Sequence, residues 1–172
     1  MTSSQDKLKE LTRSSLFVAI ATTIFIIEAR LPLLIPLPGA KLGLSNCVTI
    51  YVAYSMGVSQ AWKVLFCRIL LGGFFAGQLL TLAYSATGGL CCLLLLTLLK
   101  PFCPWDKIWF VSPCCAVVHN LGQLSLATVI LGSQEVFYLF PYLTLLAVIS
   151  GLFVGIATQN LLAREKKIGK NP

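Results

Sequence analysis

The chain is poor in charged residues, and above all in acidic ones. Only 11% of its 172 residues are charged, and Asp and Glu together number six, whereas about 25% of an ordinary soluble domain is charged. So few carboxylates argue against a paired-carboxylate active site and against the acidic clusters that hold Mg²⁺ in phosphoryl or prenyl transfer. A phosphate-binding P-loop is also missing, so the chain alone has no means of hydrolysing ATP. We therefore expect no catalysis, cofactor or metal here.

Cysteine pairs with metal-site spacing are missing too. The seven cysteines form no C-x-x-C motif and lie mostly in apolar runs, which predicts small packing residues and no disulfide framework or zinc site. The net charge of +7 does not indicate a nucleic-acid partner, because the basic residues stand at the ends of apolar runs and form no patch with interleaved aromatics.

Apolar residues dominate instead, at 57% of the chain. A transmembrane helix needs about 20 of them, and the apolar runs are 14–29, 42–57, 61–75, 79–99, 108–131 and 137–162. They predict an all-α integral membrane protein with six transmembrane helices in one domain, 14–162, in contact with the lipid bilayer. Residues 1–13 and the basic tail 163–172 are expected outside it. The second and third runs are short for a full span. The first resembles a signal peptide, but no cleavage site follows and we expect it to be retained.

The basic residues fall mainly on one side of this bundle. With the N-terminus inside, only Arg30 and Lys41 lie in outer segments and Arg68 lies within a span. The inner residues are Lys7, Lys9, Arg13, Lys63, Lys100, Lys107, Arg164, Lys166, Lys167 and Lys170. The positive-inside rule then predicts an even number of helices with both termini in the cytoplasm.

The first outer loop, residues 30–41, reads RLPLLIPLPGAK. Its three prolines and its glycine exclude a regular helix. An apolar, proline-stiffened loop of this kind is a candidate lid over the outer end of the bundle, or simply a rigid connector.

One face of the fifth predicted helix is polar. The spacings of 4, 3, 1, 3 and 4 put six residues on that face: Ser112, Ala116, His119, Asn120, Gln123 and Ala127. Polar groups at this depth face the bundle interior and usually mark a substrate or ion path. The alternative is that Asn120 and Gln123 only join helices by hydrogen bonds.

Three further polar residues complete a candidate substrate-binding site with His119, Asn120 and Gln123. Arg68 lies deep in the third span, either as a cationic anchor for a ligand or as a structural arginine that snorkels to the cytoplasmic surface or binds helix-end carbonyls. Lys41 and Asn46 flank Gly43 and are expected at the outer membrane surface, where they form part of an outward-facing pocket or serve as an interfacial lysine and a helix cap. An anionic or amide-rich small molecule suits these donors.

The first predicted helix carries small residues four apart, Ser15, Ala19 and Thr23. Such a stripe is suited to docking another helix, whether of the same chain or of a partner.

Four motifs, PGAKLGLSN, RILLGG, SATGG and AVVHNLGQL, carry a family resemblance over about residues 31–155. They resemble the bacterial family named heptaprenyl diphosphate synthase component I, also labelled Gx transporter. That family is similar in size and layout to the substrate-binding S components of energy-coupling factor (ECF) transporters. The resemblance implies a location in the bacterial cytoplasmic membrane, a transmembrane coupling subunit and two ATPases. It also implies that the 30–41 loop covers the ligand and that Ser15, Ala19 and Thr23 dock the coupling subunit.

Two main hypotheses for the function follow. The first is a substrate-capturing subunit of an ATP-driven uptake transporter. The second is an accessory subunit of isoprenoid or quinone metabolism that binds a prenyl diphosphate at Arg68 and Lys41. A self-contained channel or carrier dimer is a third alternative. The sequence does not identify the substrate.

Overall fold

The computed structural model describes residues 3–30, 43–76 and 79–168, and these are almost entirely helical. The long helices are α1 (Ser3–Arg30), α2 (Asn46–Ser55), α3 (Val58–Ala76), α4 (Leu79–Leu99), α5 (Ile108–Leu131) and α6 (Phe140–Ile168). Two short 3-10 helices, Trp105–Lys107 and Gln134–Leu139, precede α5 and α6. The expectation of an all-helical protein with six helices is thereby confirmed.

Five of the helices are long and apolar enough to cross a membrane, which makes the chain a multi-pass membrane protein. The exception is α2, whose ten residues extend about 15 Å at 1.5 Å per residue, half of the roughly 30 Å hydrocarbon core. The prediction of six spanning helices is therefore wrong for α2, whose apolar run 42–57 is already short for a full span. Most of α2 is buried by the other helices, so it is an interior half-helix.

Close packing between α5 and α6 depends on glycine. A Cβ on Gly151 would lie 2.5 Å from Pro113 Cα, and one on Gly155 would lie 2.9 Å from Ser112 Cβ. Small residues let membrane helices approach in this way and gain van der Waals contact. This packing holds the first half of α5 against α6.

The first half of α1 and the end of α6 lie at the same end of the bundle. Arg13 of α1 forms an ion pair with Glu165 of α6, and the Tyr51 hydroxyl donates to the same carboxylate over 2.8 Å. Tyr51 belongs to the last turn of α2, which ends just before α3 begins. That this shared end faces the cytoplasm stays a prediction from the charge distribution.

The buried apolar residues form two clusters separated by a polar layer. The larger cluster includes Leu65, Leu93 and Cys115, and the smaller one includes Tyr84 and Leu124. Along α5 the buried residues His119 and Asn120 come between Cys115 and Leu124. The polar layer therefore crosses the middle of the bundle.

Candidate functional site

The polar face predicted for α5 exists and points inward. Ser112, His119, Asn120, Gln123 and Ala127 are buried, and Ala116 is half-buried. His119 is only 2% exposed. The 3.6-residue period therefore identified the interior face of this helix correctly.

Arg68 lies at the same depth as His119. It is roughly 15 Å along α3 from Val58, and His119 is about as far along α5 from Ile108, at 1.5 Å per residue. With 1% exposure, Arg68 is among the largest fully buried side chains. Its guanidinium turns toward the start of α2, where Nη1 donates to Ser45 Oγ and to Asn46 Oδ1. The snorkelling alternative is wrong for this structure, because the charged group lies inside the bundle.

Asn46 connects Arg68 to His119. Its Oδ1 is 3.3 Å from Arg68 Nη1, and its Nδ2 is 2.8 Å from His119 Nδ1. Arginine can only donate hydrogen bonds, so the atom of Asn46 that faces it must be the oxygen. The amide nitrogen then donates to His119 Nδ1, which leaves the proton of a neutral imidazole on Nε2. The tautomer of His119 therefore follows from Arg68, which is connected to the imidazole through the two hydrogen bonds of the Asn46 side chain.

The outer-surface position expected for Asn46 is wrong. It is 6% exposed and lies inside the bundle, because α2 begins there and not at the membrane surface. Lys41, the other residue expected at that surface, lies outside the described residues, as does the proposed lid after Arg30.

Glu28 is a part of this centre that the sequence interpretation missed. It is 4% exposed, and its Oε1 accepts hydrogen bonds from the backbone N–H groups of Gly43 and Leu44, the latter over 3.2 Å. These amides stand immediately before α2. A carboxylate at this position complements the positive end of the helix dipole. The available signal was that Glu28 and Arg68 are single, opposite charges within apolar runs, and such charges often pair.

The pair Gly88 and Gly89 lets His119 and Arg68 pack against α4. A Cβ on Gly88 would lie 2.6 Å from His119 Cε1, and a Cβ on Gly89 would lie 3.1 Å from Arg68 Nη2. Gly43 also packs against the imidazole: it has a φ of +76°, and a Cβ there would lie 3.1 Å from the ring. Gly88 and Gly89 of the SATGG motif and Gly43 of the PGAKLGLSN motif thus make room for the polar side chains.

Asn120 and Gln123 have different surroundings. Asn120 Nδ2 donates to the Leu143 carbonyl of α6 over 3.0 Å, as expected of a residue that joins two membrane helices. Gln123 is 5% exposed, and its Nε2 has no hydrogen-bond partner among the described residues. Of the two carboxamides, Gln123 is the better candidate for ligand contact.

Several nitrogen atoms of the centre have no partner in the described part of the chain. They are Arg68 Nε and Nη2, His119 Nε2 and Gln123 Nε2. The Gly88 backbone also lies within hydrogen-bonding reach of the imidazole, so the unused donors of Arg68 and Gln123 carry more weight than His119 Nε2. The cavity beside Asn46 has a volume of about 20 Å³, enough for one water molecule. The described side chains therefore enclose a closed centre with unused donors.

A larger groove lies elsewhere, between α1 and α3. It has a volume of about 640 Å³, and Ser15 and Ala19 line it. Thr23 is exposed on the same helix but is not part of the lining. The small-residue stripe is thus on an open surface of the described structure, separate from the polar centre.

The described residues contain no group of three or more His, Cys, Asp or Glu side chains able to hold a metal ion. What the centre offers is hydrogen-bond donation and one buried guanidinium.

The fold and this centre define a class: multi-pass helical membrane proteins with a polar site halfway through the bundle. The family model for heptaprenyl diphosphate synthase component I matches residues 17–161, and the chain belongs to this family. The resemblance drawn from the four motifs is thereby confirmed. No curated protein and no solved structure matches the chain.

Proposed function

We propose that the chain is the substrate-binding membrane subunit of an ATP-driven uptake transporter, similar to an ECF S component. Its ligand binds at the centre formed by Arg68, Asn46, His119 and Gln123. The observation that carries this proposal is the buried guanidinium with donors still unused in the described structure. A buried charge costs several kcal/mol unless it is fully compensated, so a site of this kind indicates a function more than a stabilising role.

A partner has to supply energy, since the sequence contains no P-loop. The groove between α1 and α3 supports a docking role for Ser15 and Ala19, because small residues let a partner helix approach closely. Docking there leaves the polar centre accessible to a ligand from the other end of the bundle.

The proposed orientation puts both termini in the cytoplasm of a bacterial cell and the 30–41 loop outside. It rests on the positive-inside distribution of Lys and Arg, together with the pairing of Arg13 and Glu165 at one end of the bundle. Ligand then reaches Arg68 from the outer side.

Ligand retained by the full chain after gentle purification in lipid nanodiscs tests the binding role. Native mass spectrometry should detect a small molecule, and Gln123→Leu should reduce its occupancy while the protein stays folded. Ser125→Ala is the matched control on α5, since Ser125 is exposed and bonds only to the Leu121 carbonyl. Equal occupancy in Gln123→Leu and in the control would contradict the assignment of the site.

The family name favours a second candidate, an accessory membrane subunit that binds a prenyl diphosphate for a separate soluble synthase. In that case Arg68 contacts the diphosphate, the apolar bundle contacts the tail, and catalysis belongs to the partner. Co-purification from native membranes separates the two functions. ATPases and a second membrane subunit support transport, whereas a soluble prenyl synthase supports the accessory role.

A further inference from the structure

We propose that the group recognised at this centre is an oxyanion, a carboxylate or a phosphate, held side-on by Nε and Nη2 of Arg68. This inference rests on the proposed binding function and specifies the chemical class of the ligand. It follows from which atoms of the centre are already bonded and which are not.

The bonds of Arg68 leave one particular edge of the guanidinium unused. Nη1 donates to Ser45 and Asn46, whereas Nε and Nη2 have no partner among the described residues. Nε and Nη2 together form the fork that binds a carboxylate or phosphate through two parallel hydrogen bonds. A structural role at the start of α2 needs only Nη1. The free edge therefore has the geometry of an oxyanion site.

The neighbouring unused groups are donors as well. Asn46 fixes the His119 tautomer with its proton on Nε2, and Gln123 Nε2 lies on the next turn of the same helix face. Each of these groups donates and none accepts in this arrangement. Buried hydroxyl groups elsewhere do not specifically require an acceptor, because a hydroxyl group can rotate and either donate or accept a hydrogen bond. A ligand rich in acceptors satisfies the centre, and a ligand rich in donors does not.

The local charges also favour an anion. Arg68 contributes one positive charge, and the N-terminus of α2 adds roughly half a unit. Glu28 contributes one negative charge, and its Oε1 accepts hydrogen bonds from the Gly43 and Leu44 amides. Among the described residues these charges sum to about half a positive unit in an interior of low dielectric, where an anion gains more than in water.

Probe binding to the full chain in nanodiscs tests the ligand class. The probes are sodium succinate, inorganic phosphate and neutral succinamide at constant ionic strength, and the readout is the midpoint of thermal unfolding, which rises when a probe binds the folded state. Succinate or phosphate should raise the midpoint and succinamide should not. Which of the two anions acts more strongly separates a carboxylate from a phosphate ligand.

Arg68→Lys is the informative variant, because lysine keeps the charge and a donor for Ser45 and Asn46 but lacks the fork. Its apparent anion affinity should fall roughly 10- to 100-fold, the value of one or two charged hydrogen bonds. Arg164→Lys, at an exposed position on α6, is the matched control and should change nothing. Gln123→Leu, which leaves Arg68 intact, should weaken binding less and serves if Arg68→Lys does not fold.

The outcomes separate this inference from the function on which it rests. Two results overturn the oxyanion assignment and leave the binding function standing. One is that succinamide stabilises the protein as much as succinate does, and the other is that the retained ligand is neutral. Unchanged anion affinity in folded Arg68→Lys, or in Gln123→Leu if Arg68→Lys does not fold, also overturns it. If no probe acts and no molecule is retained, both proposals fail.

Discussion

Replacing Gly88 by alanine should displace the His119 imidazole and weaken the polar centre. The added Cβ would lie 2.6 Å from Cε1, 2.7 Å from Nδ1 and 2.8 Å from Nε2 of that ring. Contacts below 3.0 Å on three ring atoms leave no small rotation that relieves them all. Gly43 also packs against the ring, since a Cβ there would lie 3.1 Å from Cδ2 and Nε2, so we expect the imidazole to leave its position and break its bond with Asn46.

The size of the effect follows from three contributions. Overpacking a closed interior costs about 1–3 kcal/mol, and losing the hydrogen bond between Asn46 and His119 costs about 1 kcal/mol. Alanine in place of glycine in a helix gains back about 1 kcal/mol. The variant Gly88→Ala should therefore be destabilised by about 1–3 kcal/mol relative to the wild type.

Reversible unfolding in mixed detergent micelles measures this difference. Gly89→Ala is the comparison on the same helix, where the new Cβ meets only the ends of two flexible side chains, Leu65 and Arg68, and the loss should be smaller. Combining Gly88→Ala with His119→Ala should be less harmful than the sum of the two, because the removed ring frees the space that the new methyl group needs. A Gly88→Ala protein as stable as the wild type, or strict additivity in the double variant, would refute the described packing.

Three further outcomes are expected. Glu28→Leu removes the acceptor of two backbone amides and should lower the free energy of unfolding by about 2–4 kcal/mol. Glu28→Gln keeps an oxygen there and should cost less than half as much, which unfolding of both variants measures. Asn120→Leu deletes the bond to the Leu143 carbonyl and should lower stability by about 1 kcal/mol without changing ligand affinity, measured by unfolding and by binding; a large loss of affinity would instead place Asn120 in the site. Ala19→Trp in the groove should abolish co-purification with a partner subunit, while the exposed control Ala157→Trp should not.

The parts of the fold that were predictable depend on local patterns. Hydropathy locates the five helices that are long enough to span, because each contains a long apolar run, although the third run, 61–75, is shorter than α3 itself. Helical periodicity identifies the buried face of α5, because residues such as His119 and Gln123 repeat with the turn of the helix. Neither inference needs knowledge of a contact distant in sequence.

The start of α2 was not predictable in the same way. The run 42–57 is apolar enough to resemble a span, yet the helix begins only at Asn46. Its beginning is set by bonds from other helices, since Glu28 binds the preceding amides and Arg68 binds Ser45. Such contacts are distant in sequence and leave no periodic signal, so the depth of Asn46 could not be read from hydropathy.

The two carboxamides of α5 show the same limit at the level of the site. Asn120 and Gln123 lie on the same helical face and are similarly buried. The sequence therefore offers the same two alternatives for both, a ligand site or contacts between helices. Only the position of the Leu143 carbonyl distinguishes them, because it gives Asn120 a partner.

The half-length of α2 explains why the polar centre, and not the larger groove, is the stronger candidate for ligand binding. A full second span would have continued the apolar packing through the middle of the bundle. Because α2 begins halfway through the bundle, the amides just before its first turn, Arg68 and His119 meet between two apolar clusters. Three features of the centre each lower the stability of the fold. Opposite charges are buried, donors lack acceptors among the described residues, and glycines lie within α4. Proteins depart from consistent packing mainly at functional sites, and in the described structure these departures coincide at the start of α2.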